Sequence, residues 1–193
     1  GVAAAAGGLG VPLDTIRAAL ASLPRVPGRF EHVDAGQPFQ VIVDYAHTPD
    51  GFEKIMTYAQ AIRGDGRVTA VFGSAGRRDT IKRPLLGQIA DRYCDRIILT
   101  EEDNRDEHPL AIAEEIRSGI HRAETRFEPD RAAAIRLALS EAAPGDVVLL
   151  LAKGSETFID RDQRSDPYDG DVAVAKQTLS GMGYQGLKAD ETG

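Results

Sequence analysis

The chain has 193 residues, 42% hydrophobic and 27% charged, with 23 Lys+Arg against 30 Asp+Glu and a formal net charge of −7. That length and apolar content suit one domain, or one domain with a piece of another, and exclude a wholly disordered chain. The acidic balance argues against a general nucleic-acid binder, no apolar run reaches the roughly 20 residues of a membrane helix, and the lone Cys94 allows neither an internal disulfide nor a zinc site by itself.

The chain opens Gly1-Val2-Ala3-Ala4-Ala5-Ala6, without an initiator Met or a charged leader, so a secretory signal is not expected. A start inside an Ala-rich helical pattern is expected of a segment of a longer protein. Residues 2–6 read as the tail of a helix stopped by Gly7-Gly8. Pro12 to Leu23 is a second helical pattern, with Leu13, Ile16, Ala19 and Leu20 at one-face spacing. Leu23-Pro24-Arg25-Val26-Pro27-Gly28 punctuates strongly and is the expected domain boundary. Residues 30–33 and 39–44 are predicted strands, and a regular alternation follows. Helices are predicted over 51–62, 80–93, 109–120, 130–142 and 171–182. Strands are predicted over 68–72, 96–100 and 147–151, with a hairpin from Phe158 past Gln163. Strands alternating with helices of this length predict an α/β fold with a mostly parallel sheet flanked by helices. Ligands of such sheets sit beyond the carboxyl ends of the strands, which directs attention to four loops.

The first loop is Asp44-Tyr45-Ala46-His47-Thr48-Pro49-Asp50-Gly51. A carboxylate at a strand end can accept two hydrogen bonds from a ribose diol, and His47 can meet a phosphate or a base. Equally, Asp44 can simply close the strand while Thr48 caps a helix. The second loop, Gly73 to Asp79 with Lys82-Arg83-Pro84, carries four cations in seven residues and suits a carboxylate or phosphate. It is neither a P-loop nor a dinucleotide fingerprint. The third, Thr100 to Pro109, surrounds Arg105 with five acids, a composition that can hold an ammonium and a carboxylate together. A solvated acidic loop is the plain alternative, with Arg105 paired to Glu102 or Asp106. The fourth, Ala152-Lys153-Gly154-Ser155-Glu156-Thr157, offers Lys153 as a cation and Glu156 as an ammonium partner, or is a plain exit from the strand. It contains no nucleophile elbow.

Taken together, these segments resemble the Mur ligases, the ATP-dependent amide ligases of peptidoglycan precursor synthesis, and within them the branch that adds the third peptide residue. The resemblance rests on Pro27-Gly28-Arg29-Phe30-Glu31, Val43-Asp44-Tyr45-Ala46-His47-Thr48-Pro49-Asp50, Phe72-Gly73 with Arg78-Asp79 and Lys82-Arg83-Pro84, Thr100 to Pro109, and Ala152 to Glu156. It implies a Rossmann-like C-terminal domain over 29–193, preceded by the last helices of a central ATPase domain over 1–28. It also implies a cytoplasmic enzyme that activates a substrate carboxylate as an acyl phosphate for attack by an amine. Arg29, Asp44 and His47 would lie at ATP, with Asp44 on the ribose. Arg78, Glu102, Asp103, Arg105, Ala152 and Glu156 would line the amino-acid pocket. The P-loop and most contacts to ATP and Mg would sit upstream, so the segment itself supplies no catalytic residue or metal ligand and is inactive alone. The implied partners are the upstream domains, UDP-muramoyl dipeptide and a diamino acid, with no nucleic acid and no membrane. The motif Asp-Asn-Pro-Arg of the diaminopimelate-adding members is here Glu102-Asp103-Asn104-Arg105, where the kept Arg105 argues for diaminopimelate and the other three for an altered pocket, and Gly-Lys-Gly-His-Glu is Ala152-Lys153-Gly154-Ser155-Glu156. These departures leave diaminopimelate, lysine and ornithine open. A cyanophycin synthetase or folylpolyglutamate synthase module, or a nucleotide-binding domain without chemistry, are the alternatives.

Overall fold

The computed structural model describes residues 2–22 and 26–185. Two helices lead, α1 (Val2–Gly8) and α2 (Leu13–Ser22), and Ile16 is their one buried side chain. The expected boundary at 23–28 lies partly outside the described residues. The chain then runs β1 (Glu31–His32), β2 (Gln40–Asp44), α3 (Pro49–Ile62), β3 (Val68–Phe72), α4 (Lys82–Tyr93), β4 (Arg96–Leu99) and α5 (Pro109–Arg117). It continues through β5 (Glu124–Phe127), α6 (Arg131–Ser140), β6 (Val147–Leu151), the hairpin β7 (Phe158–Arg161) and β8 (Arg164–Pro167), and α7 (Asp171–Gly181).

The main sheet has the order β1-β2-β6-β3-β4-β5, parallel throughout except for the short antiparallel edge β1. Its central strands are apolar on both faces because helices cover both. Val147, Leu149 and Leu151 of β6 face Phe52 and Met56 of α3, Leu86 of α4 and Ile116 of α5. Val148 and Leu150 face the other way, onto Ile135 and Leu139 of α6 and Val174 and Leu179 of α7. Capping fixes where the helices begin. Thr48 Oγ1 accepts the Gly51 N–H at 3.2 Å ahead of Pro49, and Asp130 Oδ1 accepts the Ala133 N–H at 2.7 Å.

One element departs from expectation. β5 is a strand where the sequence predicts none, because Glu124-Thr125-Arg126-Phe127 has no apolar run. It is the far edge of the sheet, and an edge strand can be polar. Arg126 pairs there with Glu124 and Glu141. The predicted hairpin is present, and it is fastened to the third loop. The Arg105 N–H donates to Asp160 O at 2.9 Å and the Asp162 N–H to Arg105 O at 2.7 Å.

Candidate functional site

The loops after β2, β3, β4 and β6, with the hairpin, enclose a cleft of about 520 Å³ at the carboxyl ends of the strands. Six of the nine predicted site residues line it: His47, Arg78, Glu102, Asp103, Arg105 and Glu156. Tyr45, Lys82, Phe158 and Asp160 line it too. A smaller hollow of about 310 Å³ opens beside Ser155 against the start of α7 and gathers none of the nine.

Buried charge holds the cleft together. Lys153 is fully buried, and its Nζ lies 2.8 Å from Asp103 Oδ1 and 2.7 Å from Glu156 Oε2, with the Phe158 ring centroid at 4.8 Å. One ammonium thus joins the third loop, the fourth loop and the hairpin. Arg83, also fully buried, donates to Glu107, Glu115 and Ala75 O, at 2.8, 3.0 and 3.1 Å. It fixes the turn that carries Arg78 against the third loop. The two loops are laid backbone to backbone: the Gly76 N–H donates to Asp103 O at 2.8 Å, and a Cβ on Gly76 would stand 2.1 Å from Asn104 O. The Lys82 ammonium donates to His47 O at 2.8 Å and ties in the first loop.

Two groups in the cleft are not committed. Arg78 is exposed and has no ion pair among the described residues. Glu102 is buried, 8% exposed, and its carboxylate has no hydrogen-bond partner among the described residues. Burial raises its carboxyl above the ordinary range, although Arg131, Lys82 and Lys153 pull it down. A cation arriving beside Glu102 and an anion arriving beside Arg78 would both be stabilised, which is the pattern of an amino-acid site.

Arg29, Asp44 and Ala152 lie outside the cleft. Arg29 stacks on the Tyr45 ring, 4.5 Å from its centroid, and lines a shallow depression with Phe30 and His32. Asp44 accepts the Phe30 N–H at 2.7 Å and the Ala46 N–H at 2.8 Å, so it does close the strand. Tyr45 connects this side to the cleft: the His47 ring is 4.9 Å away, and its Nδ1 lies 2.9 Å from Tyr45 O, a contact that requires the Nδ1–H tautomer. Burial, then the Glu156 charge, raises the Tyr45 phenol above its usual range. Ala152 is buried with φ of 85°, a conformation that favours glycine, and its N–H donates to Asp44 O at 3.1 Å. Arg105 does not pair as the sequence reading allowed. Arg77 takes Asp106 with two bonds, of 2.7 and 2.6 Å, and Glu102 stays free. The Arg105 guanidinium instead donates to Gly76 O and lies 4.0 Å from Asp160 Oδ2.

The family described as "Mur ligase, glutamate ligase domain" matches residues 28–154. The chain belongs to this family. It is 49% identical over 183 residues to a UDP-N-acetylmuramyl-tripeptide synthetase of Roseiflexus sp. (strain RS-1), covering 92% of this chain and 36% of that protein. It is 44% identical over 177 residues to a UDP-N-acetylmuramoyl-L-alanyl-D-glutamate–2,6-diaminopimelate ligase of Solibacter usitatus (strain Ellin6076), covering 91% of this chain and 35% of that protein. A solved structure of a ligase of the latter name superimposes with a TM-score of 0.73 at 28% identity, over 95% of this chain and 37% of that one. The chain therefore spans about a third of the length of these Mur ligase relatives.

Among the residues that line the cleft, Asp160 and Phe158 were not among the predicted site residues. Nothing local marks them, since the hairpin is set against the cleft by long-range contacts: its pairing with Arg105, the Asp160 N–H on Asp103 and Arg161 on Glu101. Lys82 stood in a visibly basic first turn, and its length lets it cross to the first loop.

Proposed function

We propose that this chain is the amino-acid-binding part of an ATP-dependent Mur ligase that adds a diamino acid to UDP-N-acetylmuramoyl-L-alanyl-D-glutamate. Residues 1–28 would be the tail of its central ATPase domain and 29–193 its C-terminal domain. The observation that carries this reading is the cleft itself, which the uncommitted cation Arg78 and the uncommitted buried acid Glu102 line together with Glu156. Family membership supports the muramoyl side over a folylpolyglutamate or cyanophycin ligase, as the relatives reported above are muramoyl-peptide ligases.

In this reading Arg78 takes a carboxylate of the incoming amino acid, and Glu102 and Glu156 take ammonium groups. Asp103 acts through Lys153 and keeps the third and fourth loops at fixed separation. The nucleotide side fits its proposed occupant. Asp44 keeps lone pairs for a ribose diol after receiving two backbone N–H groups, and the Arg29 guanidinium lies over the Tyr45 ring beside it. ATP, when bound, supplies the phosphoryl group that activates the muramoyl carboxylate, with Mg2+ held mainly by the upstream domain. The proposed location is the cytoplasm; no helix among the described residues is long and apolar enough to cross a membrane.

The test is phosphate release from ATP by the complete protein carrying this chain. Release is expected only when the UDP-muramoyl dipeptide and a diamino acid are both present. Arg78→Ala is expected to raise the amino-acid KM at least about tenfold, the equivalent of one charge-assisted hydrogen bond. Release without an amino acid, or dependent on glutamate with a pterin acceptor, would contradict the reading.

A further inference from the structure

The cleft holds one arrangement that this reading does not use. Arg105, whose backbone pairs with the hairpin, already has a carboxylate beside it, Asp160 Oδ2 at 4.0 Å. The Asp160 backbone is held on both sides, and one bond holds its carboxylate. Its N–H donates to Asp103 Oδ1 at 2.9 Å, its carbonyl accepts the Arg105 N–H at 2.9 Å, and its carboxylate accepts the Ser165 hydroxyl at 2.5 Å. Arg105 is fixed as firmly, with φ of 49°, both backbone polar groups on the hairpin and its guanidinium on Gly76 O. The two side chains are each about a quarter to a third exposed, and both line the cleft.

The charge balance points the same way. Five carboxylates line the cleft (Asp79, Glu102, Asp103, Glu156 and Asp160) against three cations, Arg78, Lys82 and Arg105. The buried Lys153 behind them adds a fourth cation, so one negative charge is in excess. Diaminopimelate carries one more carboxylate than lysine or ornithine, whatever the state of the reacting amine. Its distal carboxylate would have to enter beside Asp160 and share Arg105 with it. A distal ammonium meets no such conflict.

Resting on the reading above, we propose that Asp160 is a specificity determinant: it occupies Arg105 and turns the far end of the cleft toward a diamino acid with a terminal ammonium and a single carboxylate. A carboxylate built into the pocket acts here as a repulsive element against the wrong substrate.

The test measures kcat/KM for lysine, ornithine and diaminopimelate with the complete ligase, as wild type, Asp160→Asn and Asp160→Glu. Wild type is expected to favour lysine or ornithine over diaminopimelate by about tenfold or more, the discrimination of one misplaced polar group. Asp160→Asn keeps the shape and the backbone bonds but frees Arg105. It is expected to raise kcat/KM for diaminopimelate, lower it for lysine, and so shift the ratio about tenfold, mostly through KM. Asp160→Glu, which restores the charge, is expected to return the preference for lysine or ornithine. A wild type that prefers diaminopimelate overturns the proposal. So does a fall of equal size for all three substrates, which is what a merely structural hairpin residue would give. If no diamino acid supports phosphate release at all, the underlying function fails first, and that result is distinguishable because there is then no ratio to shift.

Discussion

At the scale of single residues, the role proposed for Glu102 sets stability against function. Its carboxyl is held above the ordinary range by burial, so between the ordinary carboxyl range and the raised one the folded chain keeps a proton that the unfolded chain releases. Stability must then fall as pH rises from the ordinary carboxyl range through the raised one. An arriving ammonium would reverse this by compensating the charge. Glu102→Gln removes the charge and keeps the shape. Relief of about 1 kcal/mol of buried-charge penalty is expected to raise Tm by roughly 2–4 °C in a chain of this size at neutral pH. The gain should shrink toward pH 4, where both forms are neutral, while amino-acid affinity falls at neutral pH. Thermal melts of the two proteins across that range check it; a Glu102→Gln chain that melts lower at pH 7 would show that the carboxylate is stabilised in place. The position of Glu102 could not be read from composition alone. The acidic loop supplied several equivalent carboxylates, and only packing distinguishes the free one from Asp103, which serves Lys153, and from Asp106, which serves Arg77.

At the scale of elements, the cleft depends on two loops touching along their backbones, and Gly76 is where they touch. Its N–H reaches Asp103 O, its carbonyl receives Arg105, and a Cβ there would stand 2.1 Å from Asn104 O. Because the obstacle is backbone, Gly76→Ala must separate the second and third loops. The expected loss is about 1–3 kcal/mol of stability, the usual penalty of overpacking. The amino-acid KM should rise with it, since Arg78 and Arg105 sit on the two loops that part. Denaturant melts with a KM measurement decide the matter; an Ala variant with unchanged midpoint and KM would mean the loops tolerate the separation. The helices and central strands of this region were legible because period, caps and apolar runs are local signals, as with Thr48 ahead of Pro49 and the run Val147 to Leu151. β5 was not, because an edge strand of Glu124-Thr125-Arg126-Phe127 is stabilised by its partner β4 and by Arg126 pairing rather than by its own pattern. The four loops were found through the topology rule for parallel sheets. The contribution of the hairpin was not, because it depends on long-range contacts, the pairing of residues 105 and 161 and Arg161 on Glu101 among them, that no local signal carries.

At the scale of the whole molecule, the carboxyl end of the sheet is joined to the helical layer behind it by one buried ion pair. Arg131, at the start of α6, donates to both oxygens of Asp171 at the start of α7, at 2.8 and 2.6 Å. The same guanidinium donates to Leu151 O at the end of β6, at 2.8 Å, and to Glu101 O in the third loop, at 3.3 Å. Both side chains are fully buried, and the Tyr168 hydroxyl donates to Asp171 Oδ1 at 2.8 Å. Burial beside that carboxylate drives the Tyr168 phenol far above its usual range, so it stays a neutral donor. One cation therefore fastens two helices, the central strand and the loop that carries Glu102 and Arg105. Replacing such a pair with apolar groups can be neutral, whereas removing one partner leaves a charge without compensation. Asp171→Asn is accordingly expected to cost about 3–5 kcal/mol, or a fall in Tm of roughly 10 °C for a chain of this size. A double variant, Asp171→Leu with Arg131→Met, should recover more than half of that loss, because no buried charge remains. It should not recover amino-acid binding to the same degree, since the Arg131 bond to the Glu101 carbonyl is gone and the third loop loses its anchor from behind. Thermal melts of the single and double variants, alongside the amino-acid KM of the complete protein, separate the two effects. If the double variant regains both stability and KM, the pair serves stability alone and the third loop is held sufficiently by Arg161 on Glu101 and by Lys153 on Asp103.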